Sequence, residues 1–228
     1  MQLTEHFEGT EIDLGSAIAF LGNKNSSGEL ILPSHQDQAQ LAKIHQKHTD
    51  IFVEAKLDAP LEVADAHWTR KLGLALRILT ADCAPLLLFC PQRRTIAAIH
   101  AGWRGVASQI TVKTIHHLLS QDLITKNVQI VIGPHIQWNS FEIEESFALQ
   151  LTNTVSWIER DQFLKSSGKK FFVDLNQILQ QQILRITERP ENIQTLFVDT
   201  KTDLQFHSYR RDGTSSGRQS SYIFLKHP

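Results

Sequence analysis

Residues 84–105 constrain this chain more than any other stretch. Two short apolar runs, Ala84–Cys90 and Thr95–His100, flank the tetrad Pro91-Gln92-Arg93-Arg94, and Ala101-Gly102-Trp103-Arg104-Gly105 follows. A polar, proline-led tetrad between two such runs reads as the turn of a β-hairpin. If all four residues form the loop, Cys90 stands opposite Thr95 and, counting outward, Pro85 stands opposite His100. Opposed residues share a face and side chains alternate along a strand, so Cys83, Pro85 and His100 point the same way. Cys83 and His100 are then diagonal neighbours with Cα atoms roughly 7–8 Å apart. That separation suits two ligands of one metal, or a thiol and its base. Cys90 falls on the other face, about 23 Å along the strand from Cys83. It is expected to form no disulfide with Cys83, to share no metal with it, and to pack as a small apolar residue.

The rest of the chain reads as mixed helix and strand. Expected strands are 49–55, 72–79, 128–132, 196–198 and 221–225, and expected helices are 36–45, 106–119, 144–158 and 175–187. The amphipathic face of the second helix is carried by Val106, Ile110, Ile115, Leu118 and Leu119. The last helix has Asp174 as its N-cap and ends before Pro190. A polar loop is expected over 23–28. No linker, repeat or low-complexity tract divides the sequence, so the expected fold class is α+β, with one domain spanning residues 1–228.

Charge and cysteine content narrow the function classes. A formal net charge of −1 with no long basic run lacks the electrostatic footprint of a nucleic-acid binder. Two cysteines cannot staple a chain of 228 residues, which points to a reducing compartment. The start Met-Gln-Leu-Thr-Glu-His-Phe-Glu-Gly has neither the basic nor the apolar part of a secretion signal. No apolar stretch approaches the roughly 20 residues that span a bilayer. The expectation is a cytoplasmic protein without nucleic-acid or membrane partners.

A catalytic metal needs a third ligand, and 11 histidines are available. His116 and His117 lie on a helix with at least one facing solvent; His6, His35 and His227 sit in polar or terminal segments. From spacing alone, His45 and His48 read as surface residues. Motifs separate them. Ala81-Asp82-Cys83-Ala84-Pro85, followed by Ile99-His100-Ala101-Gly102-Trp103-Arg104-Gly105, resembles the YfiH/laccase-domain family, once called multicopper polyphenol oxidases. Further segments match in the family's order: Gln46-Lys47-His48, Ala64-Asp65-Ala66 with Thr69, Gly133-Pro134-His135-Ile136, Phe141-Glu142-Ile143, Asp174-Leu175, and His207-Ser208-Tyr209-Arg210-Arg211-Asp212-Gly213 with Gly217-Arg218. The resemblance runs from about residue 44 to the C-terminus. The chain departs from the family at its N-terminal glycine-rich segments, for which Gly22-Asn23-Lys24-Asn25 is a poor substitute. It also has Asp199-Thr200 where the family tends to have Cys-Thr, a change expected to be tolerated.

The resemblance implies central mixed β-sheets flanked by helices, like those of cytotoxic necrotizing factor, and a zinc ion on His48, Cys83 and His100. A His₂Cys set with an open position suits catalytic zinc, and copper is the second candidate. The family is associated with phosphorolysis of adenosine, inosine and methylthioadenosine and with deamination of adenosine. Both use purine nucleosides, and the first also uses phosphate. Arg104, beside an expected helix N-terminus, with Arg210, Arg211 and Arg218, supplies candidates for the anion. Asp82 is the candidate acid or base. A multicopper oxidase fits poorly, because no His-x-His pair occurs. Three alternatives remain on the sequence: copper in the same three-ligand site, a metal-free hydrolase with Cys83 as nucleophile and His100 as base, and editing of cell-wall precursors. A purely structural zinc site would want a fourth protein ligand, and none is evident.

Overall fold

Two six-stranded mixed sheets packed face to face form the body of the molecule. The computed structural model describes residues 2–26, 35, 38–57 and 60–227. The first sheet holds β1 (Gln2–His6), β2 (Gly9–Asp13), β3 (Ala17–Gly22), β4 (Gln40–Ala42), β7 (Leu74–Thr80) and β15 (Gln219–Leu225), in the order β1-β2-β3-β15-β7-β4. The second holds β5 (Phe52–Glu54), β6 (Ala66–Thr69), β8 (Ala84–Cys90), β9 (Thr95–Ala101), β10 (Gln129–Ile132) and β14 (Ile193–Thr195), in the order β14-β10-β8-β9-β6-β5. A small third sheet joins β11 (Glu142–Ile143), β12 (Leu164–Ser167) and β13 (Lys170–Val173). Among the described residues there are five α-helices: α1 (Trp103–Ala107), α2 (Ile110–Ser120), α3 (Glu145–Asn153), α4 (Leu175–Thr187) and α5 (Tyr209–Asp212).

The hairpin register is the expected one. β8 and β9 pair antiparallel with Pro85 opposite His100 and Cys90 opposite Thr95. Every residue of both strands is buried, as befits strands covered on both faces. Alternation sorts them. Leu87, Phe89, Ile96 and Ala98 meet Leu74, Leu76, Ile78 and Ile223 between the sheets. Leu86, Leu88, Cys90, Ala97 and Ile99 meet Ile110, Ile115, Leu118, Ile178 and Ile183 of α2 and α4. Cys90 is thus a buried free thiol in the helix-facing core, on the face opposite to Cys83's.

Several elements differ from expectation. Of the helix expected over 36–45, the described residues 38–45 are not helical: Gln40–Ala42 is a strand paired parallel with Leu74–Leu76, and residues 36 and 37 lie outside the described residues. Sheet-edge hydrogen bonding overrides a weak local helix preference there. The helix expected over 106–119 begins at Trp103 and is broken at Gln109, which takes a left-handed φ of 60°. Val106 and Ile110 are core residues on either side of the break, so periodicity cannot reveal it. The helix over 144–158 shortens to Glu145–Asn153, and the strand over 49–55 shortens to Phe52–Glu54. The strand expected at 196–198 lies instead at Ile193–Thr195, parallel to Ile130–Ile132. Beyond it the chain stays hydrogen-bonded to the 132–135 segment, with Leu196 donating to the Ile132 carbonyl and a parallel bridge between His135 and Asp199, but is no longer a regular strand, and Phe197 is 70% exposed. Of the loop expected over 23–28, residues 27 and 28 lie outside the described residues. Helix α4 starts as expected: the Asp174 carboxylate accepts from the Gln177 amide at 2.9 Å, a cap typically contributing about 1 kcal/mol.

His67 on β6 is fully buried, and burial together with the nearby Arg77 charge pushes its pKa down to about 3. The folded state keeps it neutral while the unfolded chain protonates it near pH 6.5. Its contribution is therefore intact above pH 6.5 and is lost as pH falls below that value. Linkage sets the loss at about 2 kcal/mol between pH 7.5 and pH 5. Urea denaturation at the two pH values, on wild type and His67→Gln, measures it: the variant is expected to lose about that much less, and equal losses would refute the assignment.

Candidate metal centre

The site is built around a carboxylate. Asp65, immediately before β6, is wholly buried. Its oxygens accept from the backbone amides of Lys47 (3.1 Å), His48 (3.0 Å) and Thr49 (2.6 Å), and from the Thr49 hydroxyl (2.7 Å). They also lie 2.7 Å from His100 Nδ1. The Asp65 carbonyl accepts from the His100 amide at 2.7 Å. One residue therefore folds the 47–49 loop and orients the His100 ring. The ionised carboxylate only accepts, so Nδ1 carries a proton toward Asp65 and Nε2 is the atom that faces Cys83 and would bind a metal once its own proton is released. His48 needs this anchoring, since its backbone sits at a left-handed φ of 59°.

Cys83 precedes β8, beside the end of β9 that carries His100. Its Sγ is 3.7 Å from His48 Nε2, and the rings of His48 and His100 meet edge-on with centroids 4.8 Å apart. One ligand atom from each of His48, Cys83 and His100 lies within 4.8 Å of the others, and among the described residues this is the one such group of three. The donor set fits zinc. Usual zinc–sulfur and zinc–nitrogen bonds at tetrahedral angles place S and N about 3.6 Å apart. Gly102 leaves the space that the ligands occupy: a Cβ there would meet His48 Cδ2 at 2.8 Å and Cys83 Sγ at 2.9 Å. Burial opposes ionisation of Cys83, but the charge and hydrogen bond of His100, then those of His48, outweigh it and hold the thiol down to about 6. Burial likewise opposes protonation of His100, but the Cys83 charge and the Asp65 hydrogen bond raise it to about 9. The thiolate that a metal requires is thus the favoured form at neutral pH.

The three donors open onto a cavity of about 650 Å³. Trp103, Phe141 and Tyr209 supply aromatic wall, with Ile44, Leu79, Ile136 and Leu175 between them. Arg104, Arg210 and Arg218 all line it, and each guanidinium lies against an aromatic ring: Arg104 on Trp103 (4.5 Å), Arg210 on Phe141 (5.7 Å) and Arg218 on Tyr209 (5.9 Å). Arg211, weighed with them from sequence, is elsewhere. It donates to the carbonyls of Thr200, Lys201, Asp203 and Phe206 and pairs with Asp212. Asp82 also lines the cavity, with both oxygens already engaged by Thr200 and Arg210. His45 is a further lining residue, which spacing could not separate from His48. Asp199 accepts from Ser140, Gln137 and Lys201, so a carboxylate at this position is fully satisfied. Gly22–Asn25 is not among the lining residues. Asp65, which the sequence offers only as part of the matching segment Ala64-Asp65-Ala66, has no role assigned from sequence. Its signal was a lone carboxylate in the apolar context Val63-Ala64-Asp65-Ala66, where a buried charge needs partners.

Comparison with known proteins places this architecture. The family described as multi-copper polyphenol oxidoreductase laccase matches residues 28–226. The chain belongs to that family. Relatives within reach of this laccase-domain chain carry other activities in their names. A purine nucleoside phosphorylase of Clostridium acetobutylicum is 32% identical over 190 residues, 80% of this chain and 76% of the relative. An adenosine deaminase from an unknown prokaryotic organism is 27% identical over 203 residues, 87% of this chain and 76% of the relative. The solved structure of the Bacillus licheniformis protein YfiH has the same fold, with a TM-score of 0.87 at 19% identity over 98% of this chain and 99% of that one. No helix among the described residues is long and apolar enough to cross a membrane.

Two measurements test the centre. Zinc content of purified protein is expected near one equivalent per chain and is expected to fall sharply in His48→Ala, Cys83→Ala, His100→Ala and Gly102→Ala. Full zinc in Cys83→Ala would overturn the ligand set. Asp65→Asn keeps the shape but weakens the orientation of His100 and the 47–49 loop, and zinc affinity is expected to drop about 10–100-fold. Competition with a chromophoric chelator reads this directly, and unchanged affinity would remove Asp65 from the site.

Proposed function

We propose that this laccase-domain protein is a zinc-dependent purine nucleoside enzyme that cleaves adenosine, inosine and methylthioadenosine with phosphate and deaminates adenosine. The observation that carries the reading is the three-donor cluster of His48, Cys83 and His100 at the wall of a cavity that also presents arginines. The names of the relatives supply the substrate class. Zinc, when bound there, would act as a Lewis acid and make a proton easy to remove from water at neutral pH.

The chain's own residues do the rest. The cavity volume lies within the range of small-molecule sites, and its walls are largely apolar with a few convergent charges. Trp103, Phe141 and Tyr209 supply aromatic wall against which a planar base can pack. In phosphorolysis, a phosphate oxygen bonds to C1′ as the C1′–N9 bond breaks and the base leaves with the electron pair and a proton. In deamination, water adds at C6 and ammonia departs. The first reaction needs an oxyanion held beside the sugar; the second does not. Arg210 Nη1 already donates to the Glu142 carbonyl, and Arg218 Nη1 to the carbonyls of Ser216 and Gly217. Arg104, stacked on Trp103 and exposed, has the guanidinium best able to take up a phosphate.

A second reading has its own support. Cys83, His100 and Asp65 are arranged as thiol, imidazole and orienting carboxylate, the components of a metal-free thiol hydrolase. Chelation separates the two. Activity on adenosine is expected to vanish in chelator and return with zinc, whereas full activity in verified metal-free protein would establish the thiol mechanism.

Arg104→Ala tests the anion assignment. Loss of a charge-assisted hydrogen bond typically costs about 1.5–3 kcal/mol, so the KM for phosphate in adenine release is expected to rise tenfold or more. Inosine formation from adenosine is expected to change far less. An unchanged phosphate dependence would reassign Arg104 to a structural role on Trp103.

A further inference from the structure

Asp82 occupies the junction between the metal-ligating turn and the arginine-bearing C-terminal segment. Its backbone has a left-handed φ of 82°, a conformation that aspartate and asparagine tolerate better than most residues. Its carbonyl accepts from the Ile136 amide at 3.0 Å. One carboxylate oxygen accepts from the buried Thr200 hydroxyl at 2.7 Å, and the other from the Arg210 backbone amide at 2.6 Å. The next residue is Cys83. These bonds tie together positions 118 and 128 residues apart in the chain. The second has a clear purpose. Helix α5 is one turn long, and its first amides lack helical partners. Ser208 caps the Arg211 amide at 3.2 Å, and Asp82 caps the Arg210 amide.

We propose that Asp82 is a positioning residue, which holds Arg210 and Tyr209 against the Cys83 turn, and not the acid or base of the reaction. The geometry points this way because both oxygens already face donors. The inference rests on the nucleoside-enzyme reading for its kinetic readout but not for its metal readout.

Asparagine at position 82 can keep both bonds, its carbonyl accepting from Arg210 and its amide donating to the Thr200 oxygen. Alanine can keep neither. Asp82→Ala is expected to raise the phosphate KM about tenfold and to release zinc to a chelator about tenfold faster. Asp82→Asn is expected to rescue both to within about threefold of wild type, with the pH profile of kcat retained. Thr200→Val, which removes only one bond, is expected to shift both quantities partway. Should Asp82→Ala fail to fold by circular dichroism, the contrast between Asp82→Asn and Thr200→Val carries the test. Loss of kcat in Asp82→Asn, with one limb of the pH profile gone and zinc release unchanged, would overturn the proposal in favour of acid–base catalysis. Zinc release and phosphate KM unchanged in all the folded variants would also overturn it. If the wild type turns over no nucleoside, the function reading fails, and the zinc-release rates alone still decide the role of Asp82.

Discussion

The buried carboxylate of Asp65 is the interaction on which the site depends. A charge with no exposure is costly unless every lone pair is used, and here five donors use them. Four come from the 47–49 loop and one from His100. The same contacts that make the charge tolerable therefore bring together two candidate ligands, His48 and His100, from separate parts of the chain. They also turn His100 Nε2 away from Asp65 and toward Cys83. Desolvation and site assembly are here a single requirement, met by one side chain.

The two-sheet body makes that arrangement rigid. β8 and β9 are buried on both faces, one against the neighbouring sheet and one against α2 and α4. Close-packed interiors shift little, so the ends of these strands are firm mounts for Cys83 and His100. The space between the ligands is kept open by Gly102, where any side chain would collide with two of them. The more irregular segments, 44–49 and 200–218, close over this frame. They are fastened to it by polar contacts: Asp65 for the first, and Asp82, with Arg211 bracing the carbonyls of 200–206, for the second.

The cavity divides its labour in a way that the family's oxidase description does not suggest. A multicopper oxidase needs a histidine-rich cluster beside its thiolate copper, and among the described residues only three donors converge. What surrounds them is aromatic wall and arginine, each guanidinium resting on a ring. Such pairing keeps long side chains in place at modest entropic cost. It is consistent with the planar base and phosphate of the proposed reaction.

Much of this was legible in the residues themselves. The hairpin register, with Pro85 opposite His100, follows from turn length and the two-residue period of a strand. That count alone put Cys83 and His100 on one face and Cys90 on the other. The Asp174 cap followed from local chemistry. These are short-range matters, decided within a dozen residues. The third candidate ligand was not: His48 lies 35 residues from Cys83, and only motif resemblance, not spacing, distinguished it from His45. The strand at 40–42, the break at Gln109 and the hydrogen-bond partners of Asp65 and Asp82 were likewise decided by tertiary structure. Each is decided by a partner far away in sequence or by a backbone angle set by packing. The sequence by itself determined which residue types were available and how neighbours alternate. Which distant groups would meet, and which buried charges would find enough donors to be tolerated, only the folded sheets decided, because those energies arise between segments that local pattern cannot connect.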